Sequence, residues 1–241
     1  MTGIDTMDEL ATTMGRFAEA LDGADETADV PACPGWTVRD LAVHVGTVHR
    51  WAAAIVLSGQ QVREPEPVVV GPLAPWYASC ATALLGALQA VEPTEQVPNF
   101  SRLDETAAFW PRRQLHETTV HLADLLQATG HGTPAVPPAI AADGVSEVLR
   151  TFFARLTGRG MRPVLTGTVR LEATDTGDVW ALGPGDGHEP PPLLDASAPA
   201  AATVRGTASD LYLGIWRRVP HDVLVVDGSA AEDLLAGPLT A

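Results

Sequence analysis

Lysine is absent from the 241 residues, and all 15 basic side chains are arginine. Set against 30 acidic residues, they leave a net charge of −15. A chain this acidic repels nucleic acid and anionic lipid, so neither is an expected partner. Cysteine is scarce too: Cys33 and Cys80 are isolated thiols, too few for a disulfide framework and wrongly spaced for a zinc ribbon. No apolar run approaches the length of a membrane span. The opening MTGIDTMDELATTMGRF carries charges and helical periodicity where a signal peptide has an apolar core. Together these absences point to a cytoplasmic enzyme or binding protein. Arginine-only, alanine-rich usage is also the compositional mark of a GC-rich genome.

Familiar catalytic signatures are missing as well. There is no G-x-S-x-G, no P-loop, and no dinucleotide G-x-G-x-x-G between a strand and a helix. GPGDG at 183–187 runs into prolines and reads as a turn. His131, His188 and His221 fall in loop-like sequence. Cys33 precedes a helix start, which could lower a thiol pKa, though a structural thiol is the simpler reading. Arg217 and Arg218 end an amphipathic helix, where cations complement the helix dipole.

What is present is a hydrophobic fraction of 46%, enough for a sizeable core. The first half reads as helices. Met7, Leu10, Met14, Phe17 and Leu21 recur at helical spacing, with Thr6 and Glu9 as a capping box. After the breakers of DVPACPGW, Thr37 and Asp40 restart a second helix that runs to Gly59. APWYASCATALLGALQAV forms a third, and PRRQLHETTVHLADLLQAT a fourth with Pro111 in its first turn. Four amphipathic helices suggest a bundle over residues 1–135. Residues 136–241 read as a small α+β domain. It comprises a helix at about 138–157, a hairpin turning at Asp175–Gly177, strands in AATVRG and DVLVVDG, a helix from Thr207, and a last helix capped by Ser229 and Glu232.

Histidines on the helices carry the chemistry. On a wheel of about 100° per residue, His44 sits inside the apolar face of the second helix. His49 falls at the edge of that face, about 140° round. A core-facing histidine needs partners for both ring nitrogens, so a hydrogen bond to a carbonyl or a glutamate is the plainer reading of His44. On the fourth helix Glu117 and His121 stack one turn apart, while Arg112, His116 and Ala123 face away. Glu and His at i, i+4 can close on one ion, or make a helical contact worth a few tenths of a kcal/mol. His44, Glu117 and His121 together make two imidazoles and a carboxylate, a set suited to zinc with a position left open for catalysis. His49 and His116 are placed at the rim.

Three stretches resemble the mycothiol-dependent maleylpyruvate isomerase family of the DinB-like metalloenzymes. PACPGWTVRDLAVHVGTVHRWAA is similar to its helix-two signature, RRQLHETTVHLADLL to its helix-four motif, and TVRGTASDLYLGIWRRV to its C-terminal domain. The resemblance implies an α+β chain, with a DinB-like metal-binding four-helix bundle followed by a sterol-carrier-like domain. It assigns His44, Glu117 and His121 as ligands of a divalent metal, preferably zinc, and Arg218 of the W-x-R stretch as catalytic. It implies mycothiol, the small thiol of actinobacteria, as cosubstrate. In the isomerase, that thiol adds to the cis double bond of maleylpyruvate; rotation and elimination then give fumarylpyruvate. Relatives transfer a thiol instead. The expectation is therefore an isomerase or S-transferase, monomeric or homodimeric, acting on a small electrophile held between domains. The alternatives are a non-catalytic small-molecule binding or accessory protein, and a metal-free structural dimer in which the three side chains form a core polar network.

Overall fold

The computed structural model describes residues 4–101, 105–161 and 164–240, and the chain divides into two compact units. The first runs to Asn99 and resumes from Glu105 to Pro134; the second takes Phe100, Ser101 and the residues from Ala135 onward.

Among the described residues, four helices make the first unit: α1 (Thr6–Leu21), α2 (Val38–Ser58), α3 (Leu73–Gln89) and α4 (Phe109–Ala128). α1 packs on α3 and α4, and α2 packs on the same two helices, so the bundle closes in the ring order α1–α3–α2–α4. α2 begins where the sequence places it. Thr37 accepts from the Asp40 amide, the Asp40 carboxylate accepts from Thr37 N–H, and Gly59 ends the helix in the left-handed region. α1 starts differently. Asp5, not Thr6, is its cap, accepting from the Asp8 amide at 3.2 Å. A carboxylate one residue earlier meets the free amides of the first turn, so the Thr6–Glu9 box does not form.

α2 also corrects the expectation about apolar runs. By length and composition it could cross a membrane, with a mean hydropathy of 1.2 over its best stretch. Leu41, Val45, Ala52 and Ile55 are instead fully buried in the bundle. α4 is buried on more than one side, because α1 and α2 both pack against it. His116 and Ala123, expected to face away, are therefore enclosed.

The second unit is α+β. A nearly continuous helical segment comprises α5 (Pro138–Glu147), a π-helical turn (Val148–Phe152) and α6 (Phe153–Gly158). The strands β1 (Val169–Ala173), β2 (Val179–Leu182), β3 (Leu193–Leu194), β4 (Ala202–Gly206) and β5 (Val225–Asp227) form one sheet, ordered β3-β2-β1-β4-β5. β1 and β2 are the expected hairpin, β1 and β4 are parallel, and β4 and β5 antiparallel. Val169, Leu171 and Ala173 alternate inward, while on the other face Glu172 pairs with Arg205 of β4 at 3.0 Å. β3 is a two-residue edge that no periodicity could announce. Helices α7 (Ala208–Ile215) and α8 (Ser229–Ala236) pack on the sheet. α8 lacks the expected Ser229–Glu232 cap: Gly228 occupies the cap position and no side chain caps it.

Candidate metal centre

α2 and α4 are neighbours in the ring, and their facing sides bring His44, Glu117 and His121 together. One ligand-type atom from each lies within 4.8 Å of the other two. Glu117 Oε1 is 3.2 Å from His44 Nε2 and 3.5 Å from His121 Nε2. The His44 and His121 rings meet edge-on with centroids 5.2 Å apart. Ligands about 2.0–2.1 Å from a tetrahedral zinc stand about 3.3 Å from one another, so these separations suit a shared cation. The His44 side chain keeps 32% of its surface in solvent, against 17% for Glu117 and 12% for His121. The cluster is thus open on the His44 side, where Trp36 packs against the ring at 5.0 Å.

Two further side chains hold the ligands. Arg113, almost fully buried, donates to Glu117 Oε2 at 2.9 Å. That pairing leaves Oε1 as the oxygen turned to the histidines. Asp124, fully buried, accepts from His121 Nδ1 at 2.9 Å, and the Cys33 thiol lies 3.7 Å from the same carboxylate oxygen. Residue spacing alone could have flagged them. R-x-x-x-E-x-x-x-H-x-x-D repeats at four, four and three residues, which keeps all four on one face of α4. Nothing local announces Cys33, which arrives from the loop before α2.

Electrostatics follow from this packing. Burial pushes the Glu117 carboxyl up, but hydrogen bonds with His121 and His44 and the charges of His121 and Arg113 outweigh it, holding it well below the usual range. Burial likewise opposes charge on His121. Its hydrogen bonds to Asp124 and Glu117, and their negative charges, win and raise the ring to about 9.

The two histidines of α2 exchange the places expected of them. His49, assigned to the rim, is fully enclosed. Its Nδ1 lies 2.8 Å from Gln114 Oε1 on α4, and Nε2 lies 3.4 Å from the Tyr77 hydroxyl on α3. Burial drives its pKa down to about 4, against smaller opposing contributions from Gln114 and Glu117. His44, placed inside the apolar face, is partly exposed. A helical wheel measures angle around one helix, whereas α2 is covered by two neighbours at once. A hollow of about 860 Å³ bordered by Arg16, Asp25, Leu122 and His131 contains none of the three clustered side chains.

Arg218 lies in the second unit, just past α7. Its Nη1 donates to Trp216 O at 2.7 Å, and its guanidinium stands 5.9 Å from the Trp216 ring centre. Arg217, in the left-handed region at φ 59°, donates to Gly237 O at the end of α8 at 2.8 Å. It therefore serves the end of another helix rather than its own.

Residues 7–126 match the mycothiol maleylpyruvate isomerase N-terminal domain, and residues 139–235 match the C-terminal domain of the same family. The chain belongs to that family. Two solved structures share its fold. A mycothiol-dependent maleylpyruvate isomerase superposes with a TM-score of 0.61 at 13% identity, over 94% of this chain and 92% of the other. A histidine-to-alanine variant described under the same enzyme name gives 0.63 at 14% identity, with the same coverage. No curated protein matches the chain. At such identities this chain's likeness to the two structures shows the fold alone, and the chemistry rests on the residues of this chain.

Proposed function

We propose that the chain is a metal- and mycothiol-dependent enzyme, an isomerase or S-transferase that directs a thiolate at a small electrophile. The observation that carries this reading is the cluster itself, two imidazole nitrogens and one carboxylate oxygen gathered by α2 and α4 and open on the His44 side. Its donor set suits a divalent cation of zinc type. Such a cation, when bound, would lower the pKa of a thiol and hold it as thiolate.

The chain's own groups do the rest. His44 and His121 present ring nitrogens, and Glu117 presents Oε1 because Arg113 occupies Oε2. Trp36 packs against the His44 ring. Arg218 is assigned to the electrophile's carboxylate, a role for which guanidinium is well shaped. Membership of the isomerase family supports mycothiol as the thiol, and a cytoplasmic location is part of the same proposal.

Metal analysis of the purified protein tests this first. About one zinc per chain is expected, as for a single three-ligand site, and His44→Ala should lose it. Wild-type protein that takes up no divalent metal would end the reading. Turnover comes second. The protein should consume mycothiol with an activated alkene or a transferable conjugate, and Glu117→Gln should abolish this without unfolding the chain. Arg218→Ala should slow turnover and leave zinc binding unchanged. Zinc binding without any thiol chemistry would instead make it a binding or accessory protein.

A further inference from the structure

Asp124 is fully buried, and a carboxylate is rarely enclosed unless something needs its charge there. It lies on α4, one turn beyond His121, and its Oδ2 is 2.9 Å from His121 Nδ1. The other nitrogen of that ring, Nε2, faces Glu117 Oε1. One edge of the imidazole is thus committed to a carboxylate and the other to the cluster. The Cys33 thiol approaches the same Oδ2 from the loop before α2, so that oxygen sits between a ring N–H and an S–H donor.

We infer that Asp124 is the positioning residue of the centre: it keeps the proton on His121 Nδ1, fixes the plane of the ring, and so presents Nε2 to the cation alongside His44 and Glu117. The inference rests on the metal-centre reading. Its physical basis is that a ring nitrogen can bind a cation only through its lone pair, so the tautomer decides which edge is usable. Without an acceptor at Nδ1, the proton can move to Nε2 and the ring can turn. Cys33 secures Asp124 and is not itself a ligand.

A rival arrangement uses the same atoms. Cys33, His121 and Asp124 also place ligand-type atoms within 4.8 Å of one another. In that arrangement His121 would give up its bond to Asp124, and His44 would be idle. The two arrangements predict opposite behaviour of Cys33 and His44 variants.

The test is a zinc-competition titration of the full chain, in wild type, Asp124→Ala, Asp124→Asn, Cys33→Ser and His44→Ala. Asp124→Ala should bind zinc roughly 10–100-fold more weakly, the usual cost of losing such an outer partner. Asp124→Asn keeps the volume and a carbonyl acceptor, so it should fold and recover part of the loss. Cys33→Ser keeps a donor to Oδ2 and should bind like wild type. ¹⁵N NMR of the zinc-loaded protein adds a readout that packing alone would not move. His121 should carry a protected Nδ1–H in wild type that exchanges rapidly in Asp124→Ala. Wild type that binds zinc while both Asp124 variants match its affinity overturns this inference and leaves the metal centre standing. Loss of zinc in Cys33→Ser but not in His44→Ala overturns it in favour of the rival trio. Wild type that binds no zinc removes the metal centre, and this inference with it.

Discussion

Single residues of α2 show how burial and chemistry separate. His49 is enclosed and kept neutral, with a folded pKa near 4 against an ordinary 6.5. As pH falls through 6.5 the unfolded chain takes up a proton that the folded chain refuses. Stability is therefore lost between about pH 6.5 and pH 4, by about 2–3 kcal/mol for a shift of this size. His49→Gln removes that proton uptake. Urea unfolding at pH 7 and pH 4.5 should show a stability drop smaller by about that amount in the variant, and equal drops would refute the burial argument. His44, five residues earlier, is the partly exposed member of the pair. Composition could not assign these fates, because both are histidines on one helix and only the neighbouring helices tell them apart.

At the scale of the element, close approach overrides local propensity. Gly46 lies in the middle of α2, where alanine would ordinarily favour the helix by about 1 kcal/mol. A Cβ built there would stand 2.5 Å from Cζ3 of Trp76 on α3. Gly46→Ala should therefore destabilise the protein on balance, since overpacking costs about 1–3 kcal/mol; an unchanged or higher denaturant midpoint would contradict the contact. Gly144 in α5 faces the Tyr212 ring of α7 in the same way. The capping box of α2 is the opposite case, wholly local and readable. Thr37→Ala should cost about 1 kcal/mol, measurable as a shift in that midpoint.

For the whole molecule, zinc and folding are linked. A ligand that binds only the folded chain stabilises it by about 2.7 kcal/mol at a hundred times its Kd. Wild type should show that gain in denaturant unfolding with added zinc, and His44→Ala should not. With a net charge of −15 and no lysine, the chain carries its permanent positive charge on arginine. Arg113 is already engaged with Glu117, and Arg217 with the end of α8.

The sequence by itself determined the order of the helices and of the strands other than β3, the start and stop of α2, and the E-x-x-x-H pair. Each depends on residues within one or two turns of one another, where periodicity and capping act. It also carried the three family signatures. Tertiary structure decided what depends on distant residues. His49 is enclosed because Gln114 and Tyr77 arrive from α4 and α3. Asp124 gains the thiol of Cys33, 91 residues away. Glu117 turns one oxygen to His44 across the bundle, which helical spacing cannot foresee, because a wheel records the face of one helix and not what comes to meet it.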